Sequence, residues 1–435
     1  MATGCLIAAP HSGSGKTTIT LGLLAALKRS GIGVRPAKAG PDFIDPAFHK
    51  AACGVESVNL DPWAMGSSQL RSLIADCDDR FLLVEGMMGL FDGASDGTGS
   101  GADLAELLGL PVVLVVDAGR QSHSIAALVS GFRDFQPNLS FAGVILNRVG
   151  SERHEAMLRQ ALEAIDVPVL GAVRKDALLE LPSRHLGLVQ AQEHEALTAF
   201  IDHAAQAIKS QIDLSAIASL ERKAVGGRYL DAGALSPPGQ VIAVASDRAF
   251  AFAYPHIMNG WREAGSDLHF FSPLADEAPL EGCDAIYLPG GYPELHAGQL
   301  AGAKNFMDGL RRAAEHQAFI YGECGGYMVL GEALVDGDGC RHKMANLLPL
   351  LTSFEKPRLQ LGYRVIKPNG RFEMLEGEGE LTAHEFHYST VLHQGDAEPL
   401  FFAQDAMGKE LGPVGLRRGT VCGSYLHLIS SRPQA

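Results

Sequence analysis

Short uninterrupted apolar runs, separated by stretches with helical spacing, organise the front half of the chain. The runs "CLIAA" (5–9), "GVRPAKA" (33–39), "FLLVEG" (81–86), "PVVLVVDA" (111–118), "FAGVILNR" (141–148) and "VPVLGAV" (167–173) show no polar alternation, so each predicts a strand buried on both faces. Amphipathic stretches at 17–31 and 152–166 lie between them, and the first stops at Gly31, a residue suited to close a helix. This alternation predicts an α/β fold with a doubly wound, mainly parallel sheet. The rhythm fails from about 206 to 239, a stretch that runs through Ser-Pro-Pro-Gly, and a linker is expected there. A second α/β rhythm follows in "VIAVAS" (241–246), "LHFFSP" (268–273), "DAIYLPGG" (284–291) and "AFIYG" (318–322). After about 340 the segments become shorter and more polar, which predicts a β-rich remainder. Two domains, 1–205 and 240–435, joined by 206–239, are therefore expected.

Between the first strand and the first helix lies "APHSGSGKTT" (9–18). A glycine-rich loop between a strand and a helix wraps backbone N–H groups around phosphate oxygens, where the helix dipole also favours anions. Ser12, Gly13, Ser14, Gly15, Lys16, Thr17 and Thr18 are the expected nucleotide-binding residues, with Lys16 reaching the outer phosphates and the Thr17 hydroxyl facing Mg²⁺. Pro10 stands where the usual motif has glycine. Acidic residues follow two buried strands: Asp42 and Asp45 after one, Glu85 and Asp92 around the other. Carboxylates at the C-terminal ends of parallel strands face the ligand crevice and can hold the metal that bridges nucleotide phosphates, so Thr17, Asp45 and Glu85 form the expected magnesium set. Asn147, after a further strand, is an expected base contact, and no N-K-x-D is present, so ATP is the expected nucleotide.

"GECGG" (322–326) changes the picture of the second domain. After a buried strand, a tight turn of this kind lifts its central side chain to the head of a helix. Cys324 is thus an expected nucleophile, with a pKa lowered by the helix dipole. His427 is its expected base, and His384 and His387 are rivals. The Gly290–Gly291 bend and Gly325 offer backbone donors for an oxyanion.

Composition narrows the partners. A net charge of −14 without like-charge blocks excludes a nucleic acid or an anionic membrane surface, and it requires a local basic patch for any anionic substrate. No apolar run approaches the roughly 18 residues of a membrane span. Seven scattered cysteines without C-x-x-C exclude a disulfide or zinc framework and point to the cytoplasm.

The motifs "GPDFIDPAFH", "EGMMGLFDG", "LPSRHLGL", "YLPGGYPEL", "GECGGYM" and "HEFHYS" occur in that order along nearly the whole chain. Together they resemble the cobyrinic acid a,c-diamide synthase family of cobalamin biosynthesis. Its N-terminal half resembles dethiobiotin synthetase, an ATP-dependent carboxylate-activating fold, and its C-terminal half resembles a class I glutamine amidotransferase. The resemblance implies a cytoplasmic ligase, in which a homodimer is one open arrangement. Such an enzyme amidates the a and c acetate side chains of a corrinoid or of hydrogenobyrinic acid through acyl phosphates, using ATP, Mg²⁺ and L-glutamine. It further implicates Asp42, Phe43, Ile44, Asp45, Glu85 and Asp92 in handling substrate carboxylates, and Arg184 and His185 in the basic patch. Many relatives place a glutamate two residues after the catalytic histidine; here that position is Ile429, which leaves the orientation of His427 open. "FAYPH" (252–256) and the compact linker resemble the metal-free, hydrogenobyrinic branch more closely. The same chemistry on a nickel tetrapyrrole and a ParA/MinD-like ATPase switch are the alternatives.

Overall fold

The computed structural model describes residues 2–77, 79–180, 183–184, 187–188, 190–194, 196–223 and 233–432. The chain divides into two compact units, residues 1–232 and 233–435.

The first unit is built on seven strands: β1 (Gly4–Ala8), β2 (Val34–Ala39), β3 (Val58–Leu60), β4 (Phe81–Glu85), β5 (Val112–Asp117), β6 (Phe141–Val149) and β7 (Val169–Arg174). They lie in the order β3-β2-β4-β1-β5-β6-β7, all neighbours parallel. The order reverses direction at β1, and the crevice beside such a reversal is where parallel sheets bind ligands. Every residue of β1 and β4 is buried, as their unbroken apolar runs require. Helix α1 (Lys16–Arg29) follows β1 and packs its apolar face on the sheet and on the helix Leu197–Gln211. That helix runs into the start of the stretch expected to be linker, and a short one, Leu214–Ala218, lies within it. Within that stretch Ile208, Ile212 and Ile217 join the first core, which a solvated linker would not do. The strand β3 and helix α2 (Asp45–Cys53) had no separate expectation; α2 begins inside "GPDFIDPAFH", with Pro46 in its first turn.

The second unit holds a ten-stranded sheet. Five neighbours are parallel, in the spatial order Asp267–Phe271, Val241–Ala245, Ala285–Leu288, Phe319–Glu323 and Val421–Ser424. The sheet then continues antiparallel through Glu410–Arg418, Glu398–Asp405, Gln360–Pro368, Glu380–His387 and Leu426–Arg432. A separate four-stranded sheet adds to the β-rich remainder predicted beyond 340. Two registers matter for chemistry: Glu323 lies opposite Ser424, and His384 lies opposite His427.

Candidate active sites

At the head of α1 the phosphate loop is open and preformed. Gly13 and Gly15 adopt φ of 82° and 95°, a left-handed conformation that glycine reaches without a Cβ penalty. Lys16 is buried, and its Nζ donates to the Met88 carbonyl at 2.5 Å. Burial lowers the Lys16 pKa, with Glu85 opposing the shift. Thr17 Oγ1 donates to Glu85 Oε1 at 2.6 Å, which ties the loop to the end of β4. Ser14 is fully buried and donates to the His11 carbonyl, while Ser12 and Gly13 are exposed.

Two of the expected nucleotide contacts face elsewhere. Thr18 donates to the Leu179 carbonyl at 3.1 Å, because its place on α1 turns it away from the loop. Asn147, expected at the base, is buried beneath the loop: its Nδ2 donates to the Ser14 carbonyl at 2.9 Å and its Oδ1 accepts from the Arg148 N–H. A Cβ on Gly15 would collide with that amide, so Asn147 braces the loop from below.

The acidic residues converge on a lysine. Lys38, on β2, is 3% exposed. Its Nζ lies 2.5 Å from Asp45, 3.3 Å from Glu85 and 3.7 Å from Asp42. Burial alone would lower the Lys38 pKa, but these carboxylates outweigh it and raise it. Glu85 is held below the usual carboxylate range: Lys38, His49 and Thr17 overcome its burial. Asp45 is pushed up by burial and by the neighbouring Asp42 and Glu85 charges. His49 on α2 is wholly buried, with Nε2 2.8 Å from Glu85 Oε2 and Nδ1 3.0 Å from Ser57 Oγ. Asp42 Oδ1 accepts from the backbone N–H groups of Ile44 and Asp45, which sets the start of α2 and leaves Phe43 and Ile44 half-buried beside the cluster. Asp92 Oδ2 accepts from Gly89 N–H at 2.7 Å and closes the turn after β4. His185 lies outside the described residues, as does the side chain of Arg184.

Thr17, Asp45 and Glu85 offer hard oxygen donors beside the phosphate loop. Among the described residues no three His, Cys, Asp or Glu side chains form a self-contained metal cage. That donor set fits Mg²⁺, which keeps water and phosphate ligands and takes one or two carboxylates from protein.

In the second unit Cys324 caps the helix Gly325–Leu330 with φ 46° and ψ −101°, a strained left-handed conformation for a non-glycine residue. The turn has no room for side chains: a Cβ on Gly326 would strike the Leu288 carbonyl, and one on Gly325 would lie 3.0 Å from the Gly291 backbone nitrogen. The Gly291 N–H and the residue after Cys324 are thereby brought together, as an oxyanion pair requires. Gly290 lies against the edge of the His427 ring, where a Cβ would meet Cε1. One glycine pair thus bridges the bend and the histidine.

The expected low thiol pKa is overturned. Burial raises it, with Glu294, Glu323 and Glu385 adding to the shift and a Gly325 hydrogen bond opposing it. A six-residue helix carries too little dipole to compete with near-complete burial. Burial, with His384 and His387, lowers the His427 pKa to about 3, so its imidazole is neutral. His387 stacks on Tyr425 at 3.8 Å, and its Nε2 lies 3.1 Å from Glu385 Oε1. Arg364 holds the other Glu385 oxygen at 2.7 Å. His384 sits cross-strand to His427, with its ring 5.2 Å from that of Tyr363.

Lys38, His49 and Glu323 escaped the sequence reading. The signal for Lys38 was present: a lysine inside a strand that is otherwise buried needs carboxylate partners.

Comparison with known proteins adds two matches and a set of relatives. Residues 5–189 match a CobQ/CobB/MinD/ParA nucleotide binding domain, and residues 241–435 match a CobB/CobQ-like glutamine amidotransferase domain. The chain is 57% identical to a hydrogenobyrinate a,c-diamide synthase of Brucella anthropi over 98% of each chain. It is 57% identical to one of Rhizobium meliloti, over 98% of this chain and 99% of the relative. It is 56% identical to one of Brucella abortus, over 99% of each. No helix among the described residues is long and apolar enough to cross a membrane.

Proposed function

The chain belongs to the hydrogenobyrinate a,c-diamide synthase family of glutamine amidotransferases, and from that premise we propose that it amidates the a and c acetate side chains of hydrogenobyrinic acid in the cytoplasm. ATP activates each carboxylate, and glutamine supplies each nitrogen. The observation that carries this reading is the strained thiol bend at Cys324, with a neutral buried histidine in the same unit, in a chain that also holds a phosphate loop backed by Lys38, Asp45 and Glu85.

A carboxylate is a poor electrophile because its leaving group would be oxide. Transfer of a phosphoryl group from ATP gives an acyl phosphate, whose leaving group is phosphate. Lys16 is placed to neutralise charge on the transferring group, and Gly13 and Gly15 let backbone N–H groups approach it. Thr17, Asp45 and Glu85 would hold Mg²⁺, which supplies charge neutralisation at the phosphates. Lys38 and His49 keep the carboxylates oriented. In the second unit the Cys324 S–H bond breaks, its proton passes to His427, and sulfur bonds to the glutamine amide carbon. Gly291 and Gly325 N–H groups stabilise the oxyanion. His427 then returns the proton to the departing nitrogen, and ammonia leaves uncharged to attack the acyl phosphate and displace phosphate. Water cleaves the remaining thioester, releasing glutamate and restoring the Cys324 thiol.

Incubating the protein with ATP, Mg²⁺ and glutamine, together with hydrogenobyrinic acid, cobyrinic acid or a nickel tetrapyrrole in turn, tests the reading. Two carboxyl-to-amide conversions on hydrogenobyrinic acid, seen by mass, are expected. Conversion of a metallated macrocycle alone would overturn the substrate assignment.

A further inference from the structure

The position that carries a glutamate in many relatives is Ile429 here, yet a buried carboxylate still faces His427. We propose that Glu323, the residue before Cys324, is the positioning carboxylate of this site: it accepts from His427 Nδ1 and so presents Nε2 to the thiol. The proposal rests on the reading of Cys324 and His427 as nucleophile and base.

Four observations support it. Glu323 ends the strand Phe319–Glu323 and is 1% exposed, and its Oε2 lies 3.8 Å from His427 Nδ1, itself in a residue 2% exposed. Its Oε1 accepts from the backbone N–H of Leu428 at 3.1 Å, so the carboxylate also grips the strand beside His427. Its Oε2 accepts from the Tyr287 hydroxyl at 2.8 Å, which fixes the carboxylate plane. Gly290 closes on the Cε1 edge of the ring, leaving the imidazole little freedom to rotate. The separation of 3.8 Å is long for a hydrogen bond, and catalytic contacts commonly tighten when substrate binds.

The proton inventory is simple. His427 carries its single proton on Nδ1 in the resting site and takes the Cys324 proton on Nε2 as the carbon–sulfur bond forms. In the active ionisation state Glu323 is unprotonated and stabilises the transient imidazolium, the role of the acid in a Ser-His-Asp triad. Burial pushes the Glu323 pKa up to about 8, against hydrogen bonds from Tyr287, Leu428 and Tyr321. The titratable groups facing this carboxyl are Tyr287, Tyr321, His427 and Cys324. Below that pKa the carboxyl proton competes with the Nδ1 proton and favours the wrong tautomer, so activity rises as the pH climbs through about 8.

Glutamine hydrolysis by full-length Glu323→Gln, with Cys324→Ala alongside, tests the assignment. We expect kcat to fall by about 10- to 1000-fold while KM for glutamine stays within about threefold, as tautomer loss predicts. The rise in kcat near pH 8 should vanish, Glu323→Asp should restore part of both, and synthesis from ammonium chloride should persist. Wild-type kcat and an unchanged pH profile in Glu323→Gln would overturn the proposal. Should that variant misfold, a wild-type profile with no rise between about pH 7 and 9 would overturn it equally. Glutamine hydrolysis surviving in Cys324→Ala would instead sink the underlying reading of the thiol.

Discussion

The two sites solve burial in opposite ways. Around the phosphate loop the chain buries charge and compensates it: Lys38 sits among Asp42, Asp45 and Glu85, and His49 and Thr17 complete the network. Around Cys324 it buries titratable groups and keeps them neutral, with the thiol pKa raised and His427 lowered to about 3. The first arrangement is ready for a multiply charged ligand before it arrives, since preset charges need no reorganisation during reaction. In the proposed reaction the second would generate charge only as the sulfur bonds to substrate. A resting thiol of this kind is protected from oxidants and adventitious electrophiles, because the thiolate is the reactive species.

Four experiments test that contrast. The largest effect is expected from Cys324→Ala, which should lower glutamine-supported synthesis by roughly 10³-fold or more while synthesis from ammonium chloride continues, measured by product mass. Retention of glutamine-supported synthesis would remove the thiol from the mechanism. Lys16→Ala should lower synthesis from either nitrogen source by about 10²- to 10³-fold, with glutamine hydrolysis persisting. Equal loss of hydrolysis would mean that the two sites are not separable.

Lys38→Met removes the cation from a buried ionic network. It should destabilise the first unit by about 3–5 kcal/mol in denaturant unfolding, the usual outcome when one partner of a buried pair is deleted. A change below about 1 kcal/mol would mean that water screens the cluster. The smallest effect concerns the free thiol. Iodoacetamide should label Cys324 about tenfold more slowly at pH 7 than an exposed cysteine, and the rate should still climb at pH 9. The sign follows from the raised pKa: the thiolate fraction is low at neutral pH and grows only as pH passes the ordinary thiol range. A plateau near pH 6 would mark a preformed thiolate and erase the contrast.

Much of this architecture was readable from the chain. Unbroken runs such as 111–118 and 284–291 gave strands because a strand buried on both faces has no polar positions to spare, and β5 spans Val112–Asp117. The bend at 322–326 was legible because backbone packing there excludes side chains, and the Leu288 carbonyl is the atom responsible. Other features depend on register between distant strands, which local patterns do not encode. Glu323 reads locally as the last residue of an apolar run; only the return of the strand Leu426–Arg432 brings His427 to it. Asn147 shows the same limit: it was read as a base contact, and the local pattern of β6 does not tell that its amide turns inward to the Ser14 carbonyl. The thiol pKa was misjudged because helix position is visible in sequence and burial depth is not.

Residue 429 bears on how much charge the interior around His427 can hold. Ile429 is 1% exposed, and its carbonyl accepts from His256 Nε2 at 2.8 Å, so this stretch of strand is anchored by its backbone. A glutamate introduced there would share the interior with Glu323, and two carboxylates in one apolar pocket drive each other toward the protonated form. On the proposed role of Glu323, Ile429→Glu would therefore weaken the base unless Glu323 lost its charge as well.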